Sequence, residues 1–257
     1  MTAAVVPSGV ITLLSDFGTA DPYVGLMKAA ALRAFARATI VDVTHAVPAQ
    51  DIEVGAFFVA ACIGRFPRGT VHVAVVDPGV GSARRLLAVE AAGDCWIGPD
   101  NGLLDAVLAI DGATPRAIEP ARLGLRPGSR TFDGRDLMAP IAGRLAGGGG
   151  DAAELGPAIG DPLRLRAAAG DRVLVVDRYG NLITNVAGSR VEPGRSRLRI
   201  GGRELRCVET YAEATRGELV ALVSSYGTIE VAAVEGSAYD LLRVGRGATI
   251  ELIDRER

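Results

Sequence analysis

An aspartate and an arginine seven residues apart are the first side chains with evident chemical potential. Asp77 and Arg84 enclose a glycine-rich loop with Gly79 and Gly81, directly after the apolar run 70–76. Open α/β sheets bind ligands at such loops, at the carboxyl ends of strands. The loop matches neither a dinucleotide fingerprint nor a phosphate-binding P-loop. It either stabilises a turn through an Asp–Arg pair or places both charges beside a reacting group.

Two further carboxylates, Asp16 and Asp21, follow the short apolar run 10–15. Carboxylates five residues apart suit three roles: holding a metal ion, binding the vicinal hydroxyls of a ribose, or capping the next helix. A carboxylate suits a diol because each oxygen accepts one hydroxyl hydrogen. The residues alone leave all three roles open.

The second half of the chain offers polar groups of another kind. Tyr179 and Asn181, after Asp177, suit stacking on and hydrogen bonding to a purine, or a hairpin turn. Ser225, before Tyr226, suits gripping a carboxylate or forming a turn.

Strand-like and helix-like segments alternate in the first half, as in a mostly parallel sheet covered by helices. After the glycine run 147–150 the segments become short and β-like, with turn signals between them. We therefore predict an α/β domain with a mostly parallel central sheet over residues 1–160. A smaller all-β, barrel-like domain is predicted over residues 161–257.

Composition excludes several classes of protein. The 257 residues are 49% hydrophobic and 23% charged with a net charge of −2, which is typical of a globular chain without the basic excess that nucleic acid requires. The apolar run 54–64 is too short to span a membrane, and no signal peptide is recognised.

Three cysteines and two histidines are too few for a disulfide framework or a histidine-based metal site. His45 is interpreted as a loop residue. We expect a cytoplasmic protein without nucleic-acid or membrane partners.

Six motifs in order along residues 10 to 253 resemble the S-adenosyl-L-methionine hydroxide adenosyltransferases, relatives of the fluorinases and chlorinases. They are Ser15-Asp16-Phe17-Gly18-Thr19, Asp42-Val43-Thr44-His45, Val76-Asp77-Pro78-Gly79-Val80-Gly81, Pro99-Asp100-Asn101-Gly102-Leu103-Leu104, Phe132-Asp133-Gly134-Arg135-Asp136 and Tyr179-Gly180-Asn181-Leu182-x-Thr184-Asn185. The resemblance implies an α/β domain joined to a β-barrel domain. It also implies a homotrimer that binds S-adenosylmethionine at subunit interfaces and converts it with water into adenosine and L-methionine.

The resemblance also implies roles for individual residues. Asp77 and Arg84 would belong to an Asp-Arg-His catalytic set, in which Asp133 takes the position of the histidine. Asp16 would bind the ribose, whereas Asn181 and Tyr179 would hold adenine. The full predicted substrate-binding set is Asp16, Asp21, Asp77, Asp177, Tyr179, Asn181, Ser225, Tyr226, Glu230 and Ala233. No cofactor or metal is expected, and adenosine is a product able to co-purify.

Asp133 in place of histidine keeps other interpretations open. If Asp77 and Asp133 flank Arg84, the pair of carboxylates either activates water or leaves a non-catalytic protein that binds adenosine or S-adenosylmethionine. A halide-using relative is disfavoured, because a carboxylate at residue 77 repels halide and the fluorinase-type insertion is missing. A metal-assisted phosphoesterase would use Asp16, Asp21, Asp77 and Asp100.

Overall fold

The computed structural model describes residues 6–166 and 168–253. The chain forms two compact units, Met1–Ala167 and Ala168–Arg257. Segment 161–165 belongs with the first unit, where Arg85 pairs with Asp161 and Arg164 pairs with Asp105. Within the described residues, no helix combines the length and apolar character needed to cross a membrane.

The first unit is built on a six-stranded mixed sheet with strand order β2-β1-β3-β5-β4-β6. The strands are β1 (Val10–Ser15), β2 (Thr39–Thr44), β3 (Val71–Val75), β4 (Leu86–Ala91), β5 (Asp94–Pro99) and β6 (Thr114–Ala117). The pairs β1–β2, β1–β3 and β3–β5 are parallel, whereas β4 runs antiparallel to both of its neighbours. The carboxyl ends of β2, β1, β3 and β5 therefore share one edge.

Among the residues that the structure describes, four α-helices pack on this sheet. They are α1 (Tyr23–Ala34), α2 (Ile52–Cys62), α3 (Asp105–Leu108) and α4 (Ala139–Ala146). Alternate residues of the central strands, such as Ile11 and Val73, form one core with Met27 of α1 and Ile141 of α4. The helix α2 begins at its cap Asp51, whose carboxylate accepts a hydrogen bond from Val54 N. Apart from Glu53 in its first turn the helix is apolar, and it contacts both β1 and α3.

The second unit is a small β structure with one short helix. Its strands are β7 (Val173–Val176), β8 (Leu182–Ala187), β9 (Arg197–Ile200), β10 (Arg203–Arg206), β11 (Leu219–Val223), β12 (Thr228–Ala233) and β13 (Glu251–Ile253), and its helix is α5 (Ala238–Leu242). They form the antiparallel sheets β11-β12-β8-β7 and β10-β9-β13. Bridges Cys207–Ala221 and Arg172–Thr249 join the two sheets at both edges, so the strands close into a barrel-like ring.

The predicted fold class is confirmed: a mostly parallel α/β unit precedes a smaller β unit. The strands β6 and β10 each carry few apolar residues and are held in the sheet by pairing with a neighbouring strand.

Candidate functional site

The carboxyl edge of the parallel strands gathers the polar residues that the sequence singled out. Asp16 follows β1, His45 follows β2, Asp77 lies two residues after β3, and Asp100 follows β5. The register pairs the last residues of β1 and β3, so Asp16 and Asp77 leave adjacent strands at nearly the same level. This edge is where α/β sheets of this kind place their ligands.

Arg84 is held between two carboxylates at this edge. Its Nε lies 2.9 Å from both carboxylate oxygens of Asp77, and its Nη2 also donates to Asp77 Oδ2. The same Nη2 donates to Asp133 Oδ2 at 2.5 Å. The structure thus brings together the three residues predicted to be catalytic, with Arg84 in the middle.

The cluster is largely removed from water. The Asp77 side chain is 5% exposed, and those of Arg84 and Asp133 are each 12% exposed. Burial opposes the charge of Arg84, but hydrogen bonds with Asp77 and Asp133 outweigh it and raise the pKa of the guanidinium. Arg84 is therefore a permanent cation. The cluster thus combines one guanidinium with two acidic side chains.

The carboxylates of Asp77 and Asp133 differ in how many of their oxygens already accept a hydrogen bond. Both oxygens of Asp77 are engaged by Arg84. Asp133 uses only Oδ2, and no donor among the residues the structure describes reaches its Oδ1. Asp133 Oδ1 is thus the oxygen of the cluster that is available to a water molecule.

Two local features fix this geometry. Gly81 has φ +79°, and a side chain there would meet Arg130 O at 2.7 Å, so the loop that carries Arg84 requires glycine. Asp133 directly precedes a π-helical turn, Gly134–Met138, that leads into α4. Such turns are frequent at functional sites.

Asp16 lies at the same edge of the sheet, and one of its two oxygens already accepts a hydrogen bond. Its Oδ2 accepts a hydrogen bond from Gln50 N at 2.7 Å, which leaves acceptor positions on both oxygens for a diol. Asp21 is exposed at the start of α1. Nothing in the geometry assigns Asp21 a ligand, and its place in the substrate-binding set stays a prediction.

An aromatic cluster at the same edge was not predicted. The rings of Phe17, Tyr23 and Phe132 lie 5.5 to 5.8 Å apart, centroid to centroid. Phe17 follows Asp16 and Phe132 precedes Asp133, so the contact ties the two functional loops together. No periodic pattern marks these residues in the sequence; only their places beside the two aspartates could have indicated them.

Asp100 has a structural task. It is 2% exposed and accepts hydrogen bonds from Arg85 Nε and from Leu163 N, both at 2.7 Å. It thereby anchors segment 161–165 to the edge of the sheet. No group of three or more histidine, cysteine, aspartate or glutamate residues is arranged around a possible metal position within residues 6–166 and 168–253.

The second unit contributes a cavity of about 730 Å³. Its lining consists of Tyr179, Asn181, Tyr211, Ala212, Ala214, Arg216, Ala233, Val234, Glu235 and Gly236. Three predicted substrate-binding residues, Tyr179, Asn181 and Ala233, therefore share one cavity. Asp177 accepts hydrogen bonds from the backbone N and the side-chain amide of Asn181, at 2.9 and 3.0 Å, and so fixes that amide.

Glu230 lies next to this cavity, where it accepts a hydrogen bond from the hydroxyl of Tyr211. Burial raises the pKa of Glu230; the Tyr211 bond lowers it in part, and the nearby Asp177 raises it further. Tyr211, which lines the cavity, was missed by the sequence analysis because no motif contains it. Ser225 and Tyr226 occupy the β11–β12 turn, at the other end of β12 from Ala233. Their role stays a prediction.

Removing the Tyr211 hydroxyl should destabilise the second unit in a pH-dependent way. We expect Tyr211→Phe to cost about 1–3 kcal/mol at neutral pH, because Glu230 loses its donor while buried. The folded-state pKa of Glu230 is already raised, and losing the donor raises it further. The deficit should therefore shrink as the pH falls below the folded-state pKa of Glu230, because the folded protein then holds this proton with or without the Tyr211 hydroxyl. Urea unfolding at several pH values measures this.

Tyr239→Phe is the matched control for this prediction. Tyr239 is 44% exposed, and its hydroxyl makes no hydrogen bond within the described residues. An equal loss of stability in both variants, or a deficit independent of pH, would contradict the role given to the Tyr211–Glu230 pair.

The fold and the site define a two-unit α/β–β protein with a charged cluster at the sheet edge and a cavity of about 730 Å³ on the β unit. The N-terminal domain model of the S-adenosyl-L-methionine hydroxide adenosyltransferases matches residues 11–156, and the C-terminal domain model matches residues 171–251. The chain belongs to this family, which confirms the resemblance of the six motifs.

Individual relatives agree with this assignment. The chain is 39% identical to a protein of Salinispora arenicola named (R)-S-adenosyl-L-methionine hydrolase, over 92% of this chain and 95% of that protein. A protein of the same name from Thermus thermophilus is 37% identical, over 95% and 99%. A fluorinase from an Actinoplanes species is 28% identical, over 87% and 90%. The crystal structure of an uncharacterized conserved protein from Thermotoga maritima superimposes with TM-score 0.86 at 29% identity, covering 95% of this chain and all of that one.

Proposed function

We propose that this protein hydrolyses S-adenosyl-L-methionine to adenosine and L-methionine by attack of water on C5′. One observation carries the mechanism: Arg84 is clamped between Asp77 and Asp133 at the ligand-binding edge of the sheet, with Asp133 Oδ1 left available. The family membership and the names of the relatives support the substrate.

The cluster has the parts needed to make water a nucleophile. Asp133 Oδ1 accepts a hydrogen bond from the water and takes its proton as the new bond forms. Arg84 stabilises the developing hydroxide, and Asp77 holds the guanidinium in place through both oxygens. The proton then passes from Asp133 to solvent.

The leaving group explains why no general acid is required. The C5′–S bond breaks as the O–C5′ bond forms, and its electron pair neutralises the sulfonium to give the thioether of methionine. The two acidic side chains of the cluster favour the approach of a cationic substrate. Holding water, carbon and sulfur in line supplies the proximity contribution, up to roughly 7–11 kcal/mol in well-oriented systems.

The remaining predicted residues bind the substrate. Asp16 accepts the ribose hydroxyls, and Asn181 and Tyr179 hold adenine. Ser225, Glu230 and Ala233 line the nucleoside pocket, with Tyr226 beside Ser225. Asp21 and Asp177 lie near the methionine amino group. A homotrimer would bring the first unit of one subunit to the second unit of its neighbour. The family resemblance supports this arrangement, as it supports a cytoplasmic location and a reaction without cofactor or metal.

An isotope experiment tests the bond that forms. In H₂¹⁸O we expect one ¹⁸O atom in the adenosine 5′-hydroxyl and none in methionine, measured by mass spectrometry. Label in the amino-acid product, or an unlabelled nucleoside, would mean that water does not attack C5′.

Asp16→Ala should weaken nucleoside binding. We expect the dissociation constant of adenosine to rise about 10- to 100-fold, because hydrogen bonds to a charged acceptor are among the stronger ones. Titration calorimetry measures it. Asp21→Ala is the control: it should leave adenosine affinity unchanged and weaken only the binding of S-adenosylmethionine. Unchanged adenosine affinity in Asp16→Ala would remove Asp16 from the ribose site.

A further inference from the structure

His45 is buried at the end of β2, where its ring lies between a buried serine and a partly exposed aspartate. Its Nδ1 lies 2.7 Å from Ser15 Oγ, and its Nε2 lies 3.1 Å from Asp42 Oδ1. Asp42 in turn accepts a 2.6 Å hydrogen bond from Lys28 Nζ. The imidazole is 2% exposed, whereas the Lys28–Asp42 pair is partly exposed.

The charges around the ring select its tautomer. Burial raises the pKa of Asp42, but its contacts with Lys28 and His45 outweigh burial and lower it, so Asp42 is a carboxylate. A carboxylate beside Nε2 favours the proton on that nitrogen, which leaves Nδ1 as an acceptor. The Ser15 hydroxyl then donates to Nδ1, and its oxygen accepts the 3.3 Å hydrogen bond from Phe17 N.

This order of serine, histidine and aspartate resembles the arrangement that activates a nucleophile, but the serine cannot meet a substrate. Ser15 is completely buried at the end of β1. The Ser15 hydroxyl is used instead to hold the turn that follows the strand, where it accepts the hydrogen bond from Phe17 N.

That turn contains Asp16, and His45 stabilises the turn through two separate contacts. Ser15 Oγ, fixed by the imidazole, accepts from Phe17 N, and the backbone oxygen of His45 accepts from Gly18 N at 2.8 Å. Gln50 N, from the loop that His45 begins, donates to Asp16 Oδ2 at 2.7 Å. Asp16 is thus enclosed by contacts that depend on the position of His45.

We propose that His45 is a positioning residue for the ribose-binding carboxylate, acting through Ser15 and kept in its tautomer by Asp42. The inference rests on the proposed function, since it assumes that Asp16 binds the two hydroxyls of a nucleoside. It assigns to His45 a contribution to nucleoside affinity without contact with the ligand.

The test compares the two buried histidines. We expect His45→Ala to raise the dissociation constant of adenosine about tenfold. The KM for S-adenosylmethionine should rise similarly, while kcat changes less than about threefold. His72 is the matched control, because it is equally buried and its Nδ1 lies 2.7 Å from another β1 hydroxyl, that of Thr12. His72→Ala should lower stability without changing adenosine affinity.

A double-mutant cycle separates positioning from general destabilisation. In the Asp16→Ala background, His45→Ala should cause less than about a twofold further loss of adenosine affinity, because the carboxylate it positions is gone. Additive losses, or equal losses in His45→Ala and His72→Ala, would overturn the proposal.

A second pair of variants covers the case in which His45→Ala does not fold. Asp42→Ala removes a partly exposed side chain and should weaken adenosine binding about threefold, through the tautomer of His45. Lys28→Ala, which removes only the surface partner of Asp42, should leave affinity unchanged. Wild-type affinity in Asp42→Ala would overturn the proposal. If the wild-type protein binds no adenosine, the proposed function itself fails.

Discussion

Asp133→Asn should lower kcat about 100- to 1,000-fold with little change in KM, the usual contribution of a general base. The amide oxygen can still accept the hydrogen bond from Arg84, so the cluster keeps its shape. The other atom of the amide is a donor, which cannot take a proton from water. Steady-state kinetics with S-adenosylmethionine measure the loss.

Asp133→His is the comparison that shows whether the loss of kcat in Asp133→Asn comes from the loss of a proton acceptor. An imidazole has a second nitrogen that can accept a proton, so we expect this variant to stay within about tenfold of the wild-type kcat. Activity in Asp133→Asn close to that of the wild type would show that Asp133 only orients Arg84. A large gain in Asp133→His would show that the natural aspartate is a poorer base than histidine here.

Arg84→Ala should also lower kcat about 100- to 1,000-fold, the cost of removing one preorganised donor from a developing negative charge. It should destabilise the first unit as well, by about 3–5 kcal/mol, because two buried carboxylates lose their shared cation. Kinetics and urea unfolding measure the two effects separately.

Arg85→Ala provides a matched control. Arg85 is the next residue and also pairs with two aspartates, Asp100 and Asp161, but it lies outside the catalytic cluster. We expect lower stability and a kcat within about threefold of the wild type. Equal losses of kcat in both variants would mean that Arg84 acts by supporting the fold and not by stabilising the nucleophile.

The sequence predicts the central strands and the loops that contain Asp16 and Asp77, because both kinds of element depend on local signals. Apolar runs followed by polar, glycine-rich turns mark β1 and β3, and parallel pairing then places Asp16 and Asp77 on one edge. The spacing of Asp77 and Arg84 indicates an ion pair within one loop. Asp133, 49 residues after Arg84, could be placed beside it only through the family resemblance.

Other parts of the site depend on contacts that no local pattern encodes. Tyr211 meets Glu230 across 19 residues, and Ser15 meets His45 across 30. The availability of Asp133 Oδ1 follows from how Asp77 uses both of its oxygens, which only coordinates can show. Sequence therefore indicates candidate residues for the chemistry, whereas the structure is needed to propose a separate role for each of them.

The most direct test of the central claim is to incubate the purified protein with S-adenosylmethionine and follow the products by chromatography. Parallel samples contain a strong chelator or excess chloride. The proposed function predicts adenosine and L-methionine in equal amounts, independent of both additives. A chlorinated nucleoside, activity abolished by the chelator, or tight adenosine binding without any product would contradict it.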